Sequence, residues 1–198
     1  AESTNATAIA AIKPTTSGTA GQVLTMNTDA TPIPVWEDPA ASGGLLSITE
    51  DTNTGYRRAD AVAANYGDIG QDAIDLSISE SPSSTFGATG SAAIAMGSNT
   101  VASETGAIAI GSSLIANTVS EMVIGRFNEP SVSSSSTWVG TDPLFTIGNG
   151  SSGTDEEGAS LRNNAFQVLK NGNTIINGDA NINGTIITKY GGVNAIKF

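Results

Sequence analysis

Residues able to do chemistry are few in this chain of 198 residues. It contains no histidine and no cysteine. That removes the commonest general base, the commonest transition-metal ligand, the thiolate nucleophile and any disulfide. What remains is carboxylate. Asp155-Glu156-Glu157 and Glu50-Asp51 are the densest acidic spots, and a carboxylate pair is the one arrangement left for a hydrolase or lyase. Both spots lie in Gly/Ser/Thr-rich loops, so they read as solvated loop charges, with weak cation binding as the next reading. The calcium-binding Gly-Gly-x-Gly-x-Asp nonapeptide and the Thr-x-Thr ranks of an ice-binding surface are both missing. The Gly-rich stretches do not precede helices, so they are not phosphate loops. The expectation is no catalytic residue, no cofactor, no metal site and no enzyme.

The basic residues are as sparse. Two of the 8 stand together in Gly55-Tyr56-Arg57-Arg58, which reads as surface or inter-subunit salt bridges in an acidic protein. The sharper reading makes Tyr56, Arg57 and Arg58, with Trp138, the candidate ligand contacts, of a kind that suits an anionic glycan. Net charge is -11 and no Lys/Arg cluster exists, so a phosphate-tracking nucleic-acid interface is not expected. No apolar run approaches the length of a membrane span, so membrane insertion is not expected either. The chain opens Ala1-Glu2-Ser3-Thr4 with no signal-peptide pattern. A mature product, a fragment or a non-secretory protein such as a phage component would each open this way.

The elements that must carry these residues are announced by a period. Gly97, Gly111 and Gly125 are 14 residues apart, and each closes an apolar run: Ala92–Gly97, Gly106–Gly111 and Ser120–Gly125. A fixed short period means stacked structural repeats, and 14 residues suit two short strands and two turns. Strand alternation puts Ala93, Ala95 and Gly97 on one face, with Ile94 and Met96 on the other. In the next repeat Ala107, Ala109 and Gly111 oppose Ile108 and Ile110, and Val123 and Gly125 follow. Both faces are apolar, so both must be buried. One chain's narrow roll buries one face, and the other needs a neighbour. Ala93, Ala95, Gly97, Ala107, Ala109, Gly111, Val123 and Gly125 are therefore the residues expected where chains or repeats touch. Thr100–Ala102 and Leu114–Ala116 are the expected second strands.

Composition agrees. Only 38% of residues are hydrophobic and 5% aromatic, thin for a compact globule of this length, yet charge is too low, at 14%, for ordinary disorder. An elongated all-β protein whose core is completed by partner chains fits. Five segments follow: an N-terminal arm with a β-hairpin (1–44), a mixed strand and loop connector (45–81), the repeats (82–127), a loop-rich β module (128–170) and an Asn-Gly β-stem (171–198). The hairpin would pair Gln22–Met26 with Ile33–Trp36. The β module would use Trp138-Val139, Leu144–Ile147 and Phe166–Leu169. In the stem, Asn171-Gly172, Asn177-Gly178 and Asn183-Gly184 supply tight turns.

The repeats resemble the head repeats of trimeric autotransporter adhesins of the YadA type, whose steps read Ala-x-Ala-x-Gly and then Ser/Thr-x-Ala-x-Gly. Ala93, Ala95, Gly97, Thr100 and Ala102 fit, as do Ala107, Ala109, Gly111 and Ala116, then Val123 and Gly125. Glu104 and Thr118 stand where the pattern has its second glycine, and Leu114 replaces a small polar residue. The flanks, Gly21–Thr25 with Val35-Trp36, and Leu144–Gly150 with Phe166–Thr174, resemble modules of phage-type tail fibres and Bacteroidetes-like secreted fibre proteins. The resemblance implies a left-handed parallel β-roll and a homotrimer. It implies an extracellular place, on a cell surface, a phage virion or an injection device. The expected function is attachment to a cell-surface glycan or receptor by a non-enzymatic fibre or adhesin, joined to other fibre or baseplate components. The alternative is a shaft, spacer or filament subunit with no ligand site.

Overall fold

A computed structural model of the chain describes residues 23–26, 34–37, 44–132, 135–180, 189–190 and 193–194. The described residues are rich in strand, with one short 3-10 turn at Ala63–Asn65 and no α-helix. The chain divides into two units, residues 1–46 with 58–60, and residues 47–57 with 61–198. In the first, β1 (Val23–Met26) and β2 (Pro34–Glu37) pair antiparallel with Leu24 opposite Trp36, the hairpin expected from the sequence. Pro34 opens β2 in a two-stranded sheet, where a missing N–H is tolerated.

The rest of the strands are β3 (Leu45–Glu50), β4 (Asn53–Arg58), β5 (Ile74–Ile78), β6 (Gly87–Ala88), β7 (Ile94–Ser98), β8 (Val101–Ala102), β9 (Ile108–Ser112), β10 (Ile115–Ala116), β11 (Met122–Arg126), β12 (Pro143–Asn149), β13 (Asn164–Leu169) and β14 (Thr174–Ile176). A separate ladder joins β15 (Lys189–Tyr190) to β16 (Val193–Asn194). From β5 to β11 the chain alternates between two sheets. The odd-numbered strands belong to a nine-stranded sheet of order β14-β13-β12-β11-β9-β7-β5-β4-β3, and β6, β8 and β10 form a three-stranded one. Neighbours from β4 to β12 pair parallel in the first sheet, as do the strands of the second.

The 14-residue spacing is the register of this pairing. Ala95 faces Ala109 and Ala109 faces Val123, while Gly97, Gly111 and Gly125 fall in one line. The sheet continues beyond the periodic segment. Ile74 of β5 pairs with Ile94, and Ile124 pairs with Ile147 of β12. The expected segment boundaries at 81/82 and 127/128 therefore do not interrupt the sheet. Longer connections between strands hid these outer members from a search for a fixed period. Trp138-Val139, expected as a strand, lies in a non-strand connection, where Asp142 N donates to Val139 O at 3.0 Å.

The space between the sheets is filled almost entirely by small side chains. Ala93, Ala95, Ala107, Ala109 and Val123 from one side, and Ala88, Ala102 and Ala116 from the other, have no exposed surface. The larger Ile69 and Leu114 complete the cluster. Gly125 shows how close the backbones run. Its φ of 98° suits glycine, and a Cβ added there would fall on the carbonyl oxygen of Gly148.

A matched pair of substitutions tests that crowding. Gly153 has a similar φ of 95° with nothing near its missing Cβ. Gly153→Ala should cost only backbone strain, about 1 kcal/mol. Gly125→Ala should cost that plus an overpacking penalty of about 1–3 kcal/mol. Equal losses on urea unfolding would show that the backbones are not in contact.

Candidate functional site

Because alanine points inward, the Ile, Leu and Met side chains of the parallel strands in the large sheet point outward, while Val123 takes an alanine's place inside. Two columns run across the big sheet. One follows Tyr56, Ile74, Ile94, Ile108, Met122 and Phe145 in register, and the other follows Leu76, Met96, Ile110, Ile124 and Ile147. The columns continue onto Val168 and Phe166, with Phe166 opposite Ile176. Phe145 and Phe166 meet edge to face, with centroids 6.2 Å apart. All of these side chains stay half-buried or exposed within one chain, Tyr56 at 48%, Met96 at 39% and Ile176 at 50%. A contiguous apolar face of this extent is unusual on a protein that stays alone.

Both ends of the alanine column are polar. At the first, Asp75 stands in register with Ala95 and is fully buried. Its Oδ2 accepts from Arg57 Nε at 3.2 Å, and its Oδ1 accepts from Ser77 N and Oγ at 3.0 and 2.6 Å. Arg57, only 3% exposed, also donates to Glu50 Oε1 and Gly67 O, both at 2.8 Å, and its guanidinium lies 4.9 Å from the Tyr66 ring centroid. All three guanidinium nitrogens are thus partnered.

At the far end Glu121 takes the place that Ala93 and Ala107 hold in earlier repeats. Its Oε2 accepts from Asn117 N, Thr118 N and Thr118 Oγ1 at 3.1, 3.2 and 3.3 Å. Thr146, in register with Val123, brings its hydroxyl to 3.5 Å from Glu121 Oε1. Burial pushes the Glu121 carboxyl up to about 7, against the opposing pull of these hydrogen bonds and of the Lys170 charge. Lys170 is itself enclosed, 3.6 Å from Asp142 Oδ2, with the Trp138 ring centroid 5.3 Å from Nζ. The exposed edges of the ladders are closed by amides. Asn128 accepts from Ile115 N at 2.8 Å and donates to Ile115 O at 2.9 Å, standing in for a further strand beside β10.

The sequence-derived candidates thus scatter. Tyr56 lies on the apolar face, Arg58 pairs with Asp60 at the surface, and Trp138 is 58% exposed beside Lys170. Arg57 is a correction: it is sealed inside by Asp75, Glu50 and Tyr66, so it cannot meet a surface ligand. The small residues occupy the interior of a single chain, so the side open to another chain is the Ile/Met face instead. Asp75, Glu121, Asp142 and Lys170 were not singled out from the sequence. A signal existed for Glu121, a charged residue 14 positions after Ala107 in an otherwise apolar column.

Among the described residues no cluster of three acidic side chains is placed to hold a metal ion. Two small surface hollows lie among the described residues. One of about 330 Å³ is lined by Ser84, Thr85, Thr89, Val101, Ser103 and Ile115. Another, of about 280 Å³, lies between Glu129–Val132 and the face of Gln167, Leu169 and Ile175. Asp155 spends its Oδ1 on the backbone N–H groups of Glu157 and Ala159, a loop-shaping role. Comparison with protein-family models, curated proteins and solved structures found no match.

Glu121 has a measurable signature. A carboxyl raised from 4.5 to about 7 on folding gives stability that is whole below the unfolded value and lost as pH rises through the folded one. Glu121→Gln should therefore gain on the wild type by on the order of 3 kcal/mol between acid and about pH 8. Urea unfolding of both chains across that range reads the difference, and parallel profiles would show that Glu121 ionises normally.

Proposed function

We propose that this chain is one subunit of a homotrimeric, extracellular fibre protein, a tail fibre or surface adhesin, that serves attachment to a cell surface or glycan. The observation that carries the reading is the outward double column from Tyr56 to Ile147, continued by Phe166 and Ile176. Beyond Tyr56 it is made of Ile, Leu, Met and Phe, stays half-buried or exposed in the described chain, and repeats with the strands. Burying it would contribute roughly 25 cal/mol for each Å² removed from water. A second and third copy of the same face are the natural cover, since identical chains in parallel place like residues at like heights. We read the alternation between two parallel sheets as the left-handed β-roll that the Ala-x-Ala-x-Gly steps resemble. The number three comes from that resemblance.

On this reading attachment belongs to the connections flanking the repeats. Within the repeats, the exposed turns offer mainly Ser, Thr, Ala and Gly, which give little shape to grip a ligand. The connections carry exposed Trp138 and Val132, and the acidic loop of Asp155, Glu156 and Glu157. The alternative, a shaft without a ligand site, shares the same assembly.

Light scattering of the full chain should give three protomer masses. Ile110→Asp, on the outward column, should yield monomers or unfolded chain, while Ser112→Asp on the same strand should leave the mass unchanged. A folded wild-type monomer would end the proposal. Exchanging residues 151–162 for a Gly/Ser loop in the intact assembly separates the two functional readings. Loss of cell or glycan binding supports attachment here, and retained binding makes this segment a shaft.

A further inference from the structure

The far end of the interior gathers an amine and two carboxyl groups in a place that packing alone would fill with apolar residues. Lys170 Nζ donates to Thr118 Oγ1 at 3.3 Å and lies 3.6 Å from Asp142 Oδ2. The Lys170 side chain has no exposed surface, and the Asp142 side chain is 10% exposed. Asp142 Oδ2 itself is buried and accepts no hydrogen bond. The backbones are locked together as well, with Lys170 N donating to Asp142 O at 2.9 Å. Thr118 Oγ1 sits 3.3 Å from Glu121 Oε2, so one hydroxyl links the amine to a second carboxyl. Trp138 lies against the amine.

We propose that Lys170 and Asp142 condense to an amide, an intramolecular cross-link between the residue before β12 and the residue after β13, with Glu121 as a positioning residue acting through the Thr118 hydroxyl. The pair is poised for it. Two buried charges are costly, and proton transfer from Nζ to the Asp142 carboxylate leaves a neutral amine and a neutral acid. The Nζ lone pair then attacks Cγ of Asp142. A C–N bond forms, one C–O bond breaks, and the oxygen leaves with two protons as water. Ammonium and carboxylate thus become one amide and one water, with no oxidant, reductant or other reagent. Glu121, held largely protonated below about pH 7 by burial, accepts from the Thr118 hydroxyl that in turn accepts from Nζ, and so helps to fix where the amine lies. Fixed facing groups react as if at very high concentration, with effective molarities of roughly 10⁵–10⁸ M, which offsets the unfavourable condensation of free ions in water. The product removes both buried charges. In a chain without cysteine, it supplies the covalent staple that a disulfide provides elsewhere. It does not depend on the assembly proposed above.

Intact mass of the folded full-length chain, recorded under denaturing conditions, tests it. The wild type should be lighter than its sequence by one water, and digestion should yield a branched peptide joining Lys170 to Asp142. Lys170→Arg and Asp142→Ala should each return to full sequence mass. Asp142→Asn should lose ammonia instead and reach the same final mass as the wild type, because the product amide is identical. Glu121→Gln should slow the condensation and flatten its pH dependence while leaving the site of linkage unchanged. A wild-type chain at full sequence mass after prolonged incubation near neutral pH overturns the proposal. So does a mass loss that maps elsewhere, such as to an Asn-Gly pair. The wild-type measurement decides even if a variant fails to fold.

Discussion

The interior of the repeats is only as wide as an alanine side chain allows. Two sheets whose facing columns are Ala93, Ala95, Ala107 and Ala109 against Ala88, Ala102 and Ala116 must lie close, because any gap would forfeit the dispersion contacts that hold them. Close sheets leave no room for larger side chains along these alanine columns, so the Ile and Met residues of β7, β9 and β11 face outward. Within the large sheet, adjacent backbones leave no room for a Cβ at Gly125, where the added atom would meet the carbonyl oxygen of Gly148 on the next strand. The small core and the apolar exterior are two results of one spacing. Alanine contributes little burial per residue, and an arrangement of this kind gains most of its hydrophobic stabilisation only when the outer face is also covered.

A thin column also has ends, and each end is closed by hydrogen-bonded carboxyl groups. Asp75 enters the line of Ala95 with Arg57 and Glu50 around it, and Glu121 ends the line of Ala93 and Ala107. Buried ion pairs add little net stability compared with packed apolar residues, so their value lies in specificity. A repeat interior ending in alanine would accept another repeat, from the same chain or a neighbour. One ending in a fully bonded carboxylate would not. The amides of Asn128 and Asn164 act likewise on open ladders, offering both an acceptor and a donor to Ile115 and Glu129. Such terminal devices are what stacked repeats need to stay discrete.

Much of this was legible in the residues. The period at Gly97, Gly111 and Gly125 is the strand register itself, and Val101–Ala102 and Ile115–Ala116 are the short second strands. What could not be read was direction. Alternation shows two faces without saying which points inward, and the two-sided apolar pattern left both open. Leu144–Ile147 was legible as a strand, but that β12 and β5 join the repeat sheet escaped, because connections of unequal length separate them from their partners and a period is invisible once its spacing varies. The burial of Arg57, and Lys170 altogether, escaped for another reason. Their partners, Asp75 and Asp142, are 18 and 28 positions away, beyond any local pattern. Charged residues in a polar acidic chain look like surface until a fold encloses them.

The placement of charge separates the two jobs of such a chain. Within the repeats the outward side chains of the large sheet are uncharged from Ile94 to Ile124, so that face is suited to meeting its own kind and to little else. The acidic residues sit instead in connections, at Glu104, Glu129 and Asp155–Glu157. A net charge of -11 favours solubility and discourages nonspecific adsorption. On the proposed assembly, a surface that is apolar where copies meet and acidic elsewhere leaves few ways to associate wrongly. Recognition of anything other than a copy then falls to connections whose lengths already vary from strand to strand, since changing them leaves the alanine interior, and the spacing it imposes, untouched.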